Sequence, residues 1–107
     1  MAFDIGEVLD GMLGAAAGAL STEWPKVKAC VKTAFEDERD ALETIAKARL
    51  EGEIDEDEMK LQLTDEKETL KAALLACKVK GKVAAQKAAN AAIKVLSDAI
   101  KVALKAL

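Results

Sequence analysis

The sequence predicts an all-α protein, a long antiparallel helical hairpin preceded by a short N-terminal helix. Alanine, leucine, lysine and glutamate dominate the 107 residues, and this composition is typical of long helices. The β-branched and aromatic residues that favour sheets are scarce. Apolar residues recur at three-and-four spacing along the two stretches that would face each other. We therefore predict one helical domain over residues 1–107.

The first helix is predicted over about residues 4–20. Asp4 can cap its amino end, and Glu7, three residues later, completes a capping-box-like pair. Three glycines on this helix would let a neighbouring helix approach closely: Gly11, Gly14 and Gly18.

The second helix is predicted over about residues 23–50. Ser21 or Thr22 can cap it, and Pro25 lies in its first turn, where a missing N–H costs nothing. Gly52 is suited to end the helix because glycine tolerates the left-handed conformation.

The third helix is predicted over about residues 55–106, with Asp55 and Glu58 as its capping box. At 1.5 Å per residue it would be about 75 Å long, so the second helix covers only half of it. Beyond Gly81 its apolar face widens to about half of the helical wheel and needs a further partner. The first helix would lie level with residues 88–103 and supply part of that cover.

A turn at residues 52–54 places Cys30 level with Cys77 and makes them a candidate redox pair. Packed helix axes lie about 8–10 Å apart, whereas the Cα atoms of a disulfide lie about 4.4–6.8 Å apart. Two buried free thiols are therefore favoured over a bridge.

The carboxyl-terminal part of the third helix is the candidate interaction face. Three helices with little side-chain bulk would leave apolar surface on Ile93, Leu96, Ile100 and Leu104, beside the lysines Lys87, Lys94 and Lys101. Self-association would cover that surface, so we predict a homodimer or a higher homo-oligomer that forms a helical bundle.

Charge divides the chain into two parts. Residues 36–68 hold fourteen acidic and five basic residues, a net charge of −9, whereas residues 69–107 hold eight lysines and Asp98, a net charge of +7. Two such segments folded alongside each other are expected to neutralise one another in part.

Glu38 and Glu66 are predicted to project toward the same side of the hairpin and could contribute to a metal site in a symmetric dimer. The chain has no histidine, which the Glu-x-x-His pairs of di-iron bundles require. Structural glutamates are the favoured interpretation, and no metal or cofactor is predicted.

Catalysis is not predicted, because the chain has neither histidine nor tyrosine and both cysteines are expected inside the hairpin. The leading hypothesis is a helical-bundle interaction or assembly component that binds itself and an unidentified protein partner. The alternative is a protein that binds a membrane or granule surface through its Lys-rich carboxyl-terminal helix. Nucleic acid is a disfavoured partner because the lysine strip lacks arginine and stacking aromatics.

A cytoplasmic location is predicted from the amino-terminal residues. Asp4, Glu7 and Asp10 occupy the region where a secretory signal would carry basic residues. The longest uncharged stretch, residues 11–22, is too short to cross a bilayer.

Overall fold

The computed structural model describes residues 3–107 as five α-helices and one short 3-10 turn. In chain order these are α1 (Ile5–Leu20), the 3-10 turn (Ser21–Glu23), α2 (Trp24–Asp37), α3 (Arg39–Leu50), α4 (Glu56–Ala76) and α5 (Lys82–Lys105). Only Glu38 separates α2 from α3, so these two helices form one interrupted arm. The protein is thus an all-α globule in which α1, the α2–α3 arm, α4 and α5 pack around a common core.

The prediction of a simple hairpin is wrong, because the third helix is not continuous. It ends at Ala76, and the chain turns back so that α5 packs against α4. The longest dimension of the folded chain is 40 Å. A continuous helix of about 75 Å would be too long for it.

The break after Ala76 is a helix-ending motif in which a lysine occupies the position usually given to glycine. Lys78 has a φ of +72°, the left-handed conformation that costs a non-glycine residue about 1–2 kcal/mol. The Lys78 N–H donates to the Leu75 carbonyl at 3.0 Å and the Val79 N–H to the Leu74 carbonyl at 3.1 Å. These two bonds define a Schellman motif, and Val79 is buried as the accompanying apolar contact.

The predicted capping box at Asp55 and Glu58 and the predicted glycine at the end of the second helix are both confirmed. Asp55 accepts the Glu58 N–H at 2.8 Å, and Glu58 accepts the Asp55 N–H at 3.1 Å, which completes the capping box. Gly52 has a φ of +78° just beyond α3, as expected.

The prediction that Ser21 or Thr22 caps the second helix is wrong. No side chain caps α2, because the 3-10 turn runs directly into it. Ser21 instead adopts a φ of +54° at the end of α1.

The amino-terminal helix α1 packs more extensively on α5 than on any other element, on the half of the predicted third helix that needed a partner. A Cβ added to Gly11 would lie 3.2 Å from Cγ1 of Val95, so this glycine does permit a close approach. Gly14 and Gly18 have nothing within 4 Å of such a Cβ, so they do not.

The core is one cluster to which all five α-helices contribute. The apolar stripes predicted for the hairpin supply much of it. The members that are buried are Val27, Val31, Leu42, Ile45, Met59, Leu63, Leu70, Leu74 and Cys77.

Candidate functional site

The two cysteines form a disulfide between the middle of α2 and the end of α4. Their Cα atoms lie 5.6 Å apart, and the bond links residues 47 positions apart in sequence. The favoured interpretation of two buried free thiols therefore does not describe the structure. Cys30 is exposed, whereas Cys77 is 7% exposed. Alanines lie beside the bridge on both helices: Ala29 and Ala34 on α2, Ala73 and Ala76 on α4.

A hydrogen bond holds the same two parts of the chain next to the disulfide. The backbone N–H of Lys80 donates to Oε1 of Glu23 at 2.8 Å. Glu23 closes the 3-10 turn before α2, and Lys80 lies in the link between α4 and α5. The turn that reverses the chain is thus joined to the middle of α2 by the disulfide and to the 3-10 turn before α2 by the hydrogen bond.

Surface depressions open on both sides of the disulfide. One, of about 520 Å³, is lined mostly by small side chains: Ala29, Cys30, Thr33, Ala34, Asp37, Ala73, Ala76 and Cys77. The other, of about 590 Å³, reaches Cys77 and carries three lysines beside Glu23: Lys26, Lys78 and Lys80. The sulfur atoms therefore lie between an open, nearly uncharged surface and a cationic one.

A second candidate site lies between α4 and α5, where seven lysines line two depressions of about 500 and 300 Å³ at successive positions along the same two helices. We call it the lysine groove, and its lysines are Lys60, Lys67 and Lys71 from α4 and Lys82, Lys87, Lys94 and Lys101 from α5. Between residues 82 and 101 it runs about 28 Å along α5. Asp98 is the one acidic residue in its lining.

Ion pairs do not join the acidic segment, residues 36–68, to the basic segment, residues 69–107. Among residues 3–107 two ion pairs form, Glu43 with Lys47 at 4.0 Å and Lys94 with Asp98 at 2.8 Å. Each lies within one segment, so in the described part of the chain no ion pair joins the two. The segregated charge is therefore displayed to solvent.

The predicted interaction face divides into two parts with different surroundings. Ile93, Leu96 and Ile100 are at most 5% exposed and Leu104 is half-buried. They pack inside the chain because α1 and α4 flank α5. Lys87, Lys94 and Lys101 are exposed along the lysine groove. The apolar surface on which self-association was predicted is thus largely covered within one chain.

Glu38 and Glu66 do come together, at the interruption between α2 and α3. Burial raises the pKa of Glu66 to about 7, aided by the charge of Glu38, a hydrogen bond with Glu38 and the charge of Asp65. As a carboxylate, Glu66 has a buried Oε2 without a donor, whereas its protonated form can donate to Glu38. No group of three or more acidic, histidine or cysteine side chains suited to a metal ion occurs within residues 3–107.

Replacing Glu66 with glutamine is expected to flatten the pH dependence of stability. The pKa of Glu66 is raised from 4.5 to about 7 on folding. The stabilisation from its protonated form is therefore full below pH 4.5 and is lost as the pH rises through 7. Urea unfolding midpoints at pH 5 and pH 8 should differ less in Glu66→Gln than in the wild type. Glu68→Gln, on the exposed side of α4, is the control and should keep the wild-type difference; an unchanged difference in Glu66→Gln would contradict the assignment.

The lysine groove was not predicted from the sequence, because the pairing of α4 with α5 depends on the break at Lys78. The seven-residue spacing of Lys87, Lys94 and Lys101 was a visible signal of a polar strip. Two of the lysines that face it from α4, Lys60 and Lys67, belong to the acidic segment and were counted as part of its charge.

The fold and these sites define an all-α protein with a cationic groove and a disulfide at its chain reversal. No protein-family model, no curated protein and no solved structure shows a significant match to the chain. None of the helices described in residues 3–107 combines the length and hydropathy that a bilayer-spanning segment requires.

Proposed function

We propose that this chain is a non-catalytic helical interaction protein that binds an acidic segment of a protein partner along the lysine groove. The observation that carries the proposal is the uncompensated charge of the groove, where seven lysines stand against Asp98 alone. Like charges held close together repel, and an acidic ligand relieves that repulsion. Charge of this kind speeds association and selects among partners.

The spacing of the exposed lysines fits an acidic helix. Lys87, Lys94 and Lys101 are each seven residues apart, or about 10.5 Å along α5. A partner helix with carboxylates every seven residues presents charges at the same interval. Lys67 and Lys71 are half-buried on the α4 side of the groove. On the α5 side Gln86 donates a hydrogen bond to Asn90 at 2.8 Å.

Other partners fit the groove less well. Its lining contains no arginine and no aromatic residue, the groups that read phosphates and bases in nucleic acids. Binding to an anionic membrane or granule surface is the alternative function. The large exposed apolar residues on α5, Val83 and Val102, lie at opposite ends of the helix, which gives an apolar surface little continuous area to contact.

Self-association belongs to the same proposal. Exposed carboxylates of the α2–α3 arm and of the following turn, including Glu36, Asp40, Glu51 and Glu53, give a second copy the charge that the groove requires. A homodimer built in this way would depend on salt, in contrast to one built on the apolar face of α5.

Charge reversal in the groove tests the proposal. The wild type is expected to bind a fluorescent acidic peptide with glutamates at seven-residue spacing, and Lys87→Glu/Lys101→Glu to lose about tenfold or more in affinity. Lys28→Glu/Lys32→Glu makes the same charge change on exposed positions of α2 and should bind within about twofold of wild type. Fluorescence anisotropy at two salt concentrations measures both.

Three outcomes would contradict the proposal. The first is equal loss in both double variants, which would indicate net charge rather than the groove. The second is tighter binding of the wild type to anionic vesicles or to duplex DNA than to the peptide at equal salt. The third is no binding of the peptide at low salt. Sedimentation of the protein alone at the same two salt concentrations then tells whether a second copy is itself a ligand.

A further inference from the structure

We propose that the Cys30–Cys77 disulfide is a thiol-exchange site at which an external dithiol attacks Cys30 and releases the Cys77 thiolate. This site is separate from the lysine groove. Its covalent ligand is a dithiol reductant, which attacks from the side of Cys30.

The direction follows from the surroundings of the two sulfur atoms. Cys30 lies on the exposed side of α2, in a depression whose other side chains are mostly alanine. An incoming thiolate meets little bulk there, and Asp37 is the one charged residue in the lining. Cys77 is 7% exposed and sits at the end of α4, so its sulfur is the less accessible of the two.

Lysine side chains line the surface beside Cys77, the proposed leaving group, in a depression that does not include Cys30. Lys26, Lys78 and Lys80 line the depression that reaches this residue. Glu23, the acid in the same lining, has one carboxylate oxygen engaged by the Lys80 N–H. Neighbouring positive charge stabilises a thiolate, and a stabilised thiolate leaves faster in exchange.

The exchange is balanced without any further reactant. One thiolate of the dithiol forms a bond to Sγ of Cys30, the Cys30–Cys77 bond breaks, and its electron pair goes to Sγ of Cys77. The second thiol of the reductant, once deprotonated, then attacks its own sulfur in the mixed disulfide and expels the Cys30 thiolate. Both protein thiolates end as thiols after proton uptake, and the reductant ends as its own disulfide.

Breaking the disulfide removes the covalent link between α2 and the turn that follows α4. The Cys77-to-Gly81 link is then held by the Glu23–Lys80 hydrogen bond to the 3-10 turn and by the burial of Val79 in the core. A disulfide in a cytoplasmic protein is commonly a redox-sensing one. An exchangeable bond at this position therefore reconciles the predicted cytoplasmic location with the presence of the disulfide.

Trapping the mixed disulfide tests the direction of attack. The oxidised full-length protein is treated briefly with reduced glutathione, quenched with an excess of maleimide and digested. Mass spectrometry is expected to find glutathione on Cys30 and maleimide on Cys77, with the Cys30 adduct in at least about fivefold excess. Equal adducts, an excess on Cys77, or no reduction until a denaturant is added would overturn the proposal.

Two charge variants test the role of the lysines with an uncharged reductant, dithiothreitol. Lys78→Gln/Lys80→Gln is expected to be reduced about threefold more slowly than the wild type, because the leaving thiolate loses its neighbouring charge. Lys47→Gln/Lys105→Gln makes the same change of net charge at exposed positions outside both sites and should keep the wild-type rate. Equal rates for all three proteins would remove the electrostatic part of the proposal and its basis for preferring Cys77 as the leaving group.

Discussion

Replacing Leu96 with alanine is expected to lower the free energy of unfolding by about 2–5 kcal/mol. Leu96 has no exposed surface and lies near the middle of α5, the helix that α1 and α4 flank. Truncation removes its buried methyl groups and leaves a cavity that the neighbouring helices fill only in part. Urea denaturation followed by circular dichroism at 222 nm measures the change.

The control for Leu96 is another aliphatic residue of the same helix. Val102 is 64% exposed, and Val102→Ala should change the stability by no more than about 0.5 kcal/mol. A small effect at Leu96 would contradict its burial within one chain, and a loss of stability that changes with protein concentration would mean that a second copy covers this face.

Removing the disulfide is expected to cost about 2–4 kcal/mol of stability. The bond links residues 47 positions apart, and a crosslink of that span restricts the unfolded chain strongly. The double variant Cys30→Ser/Cys77→Ser should keep its helical circular dichroism, since the core cluster draws on all five helices. Its melting temperature should fall by roughly 10 °C or more.

A reductant provides the matched comparison for the disulfide. Wild-type protein melted in excess dithiothreitol should unfold close to the temperature of the double variant, and the variant itself should not respond to the reagent. A wild type that melts at one temperature with and without reductant, its thiols verified as free, would show that the bond contributes nothing to stability.

Much of the local structure could be predicted from the sequence because it depends on neighbouring residues. Asp55 and Glu58 form a capping box whenever a helix starts beside them, and Gly52 tolerates a positive φ that most residues avoid. These two signals fixed the position of the first turn and hence the level at which residues 30 and 77 meet. The apolar stripes of the two facing helices followed from their spacing.

The second chain reversal could not be predicted in the same way. Its left-handed residue is Lys78, in place of the glycine that commonly marks a helix end. Gly81 lies three residues further on, where it precedes α5. The energy that holds Lys78 in this conformation comes from tertiary burial, through Val79 and the packing of α5, and local sequence patterns do not report it.

The predicted interaction face depended on that missed turn. If the third helix were continuous, the rest of the chain could not bury Ile93, Leu96 and Ile100 completely. Self-association was therefore predicted. Once α5 turns back, α4 covers them, and the lysines of both helices line the lysine groove. The charge pattern was readable from the sequence, but its three-dimensional arrangement required the fold.

Chemical crosslinking between Lys60 and Lys101 tests most directly whether α5 folds back on α4 within one chain. Both lysines line the same depression, whereas a continuous helix would separate them by about 60 Å. A mixture of ¹⁴N- and ¹⁵N-labelled protein, treated with a short amine-reactive crosslinker, should give a Lys60–Lys101 product in which both peptides carry the same label. Mixed-label products alone, or no product joining these two lysines, would contradict the fold.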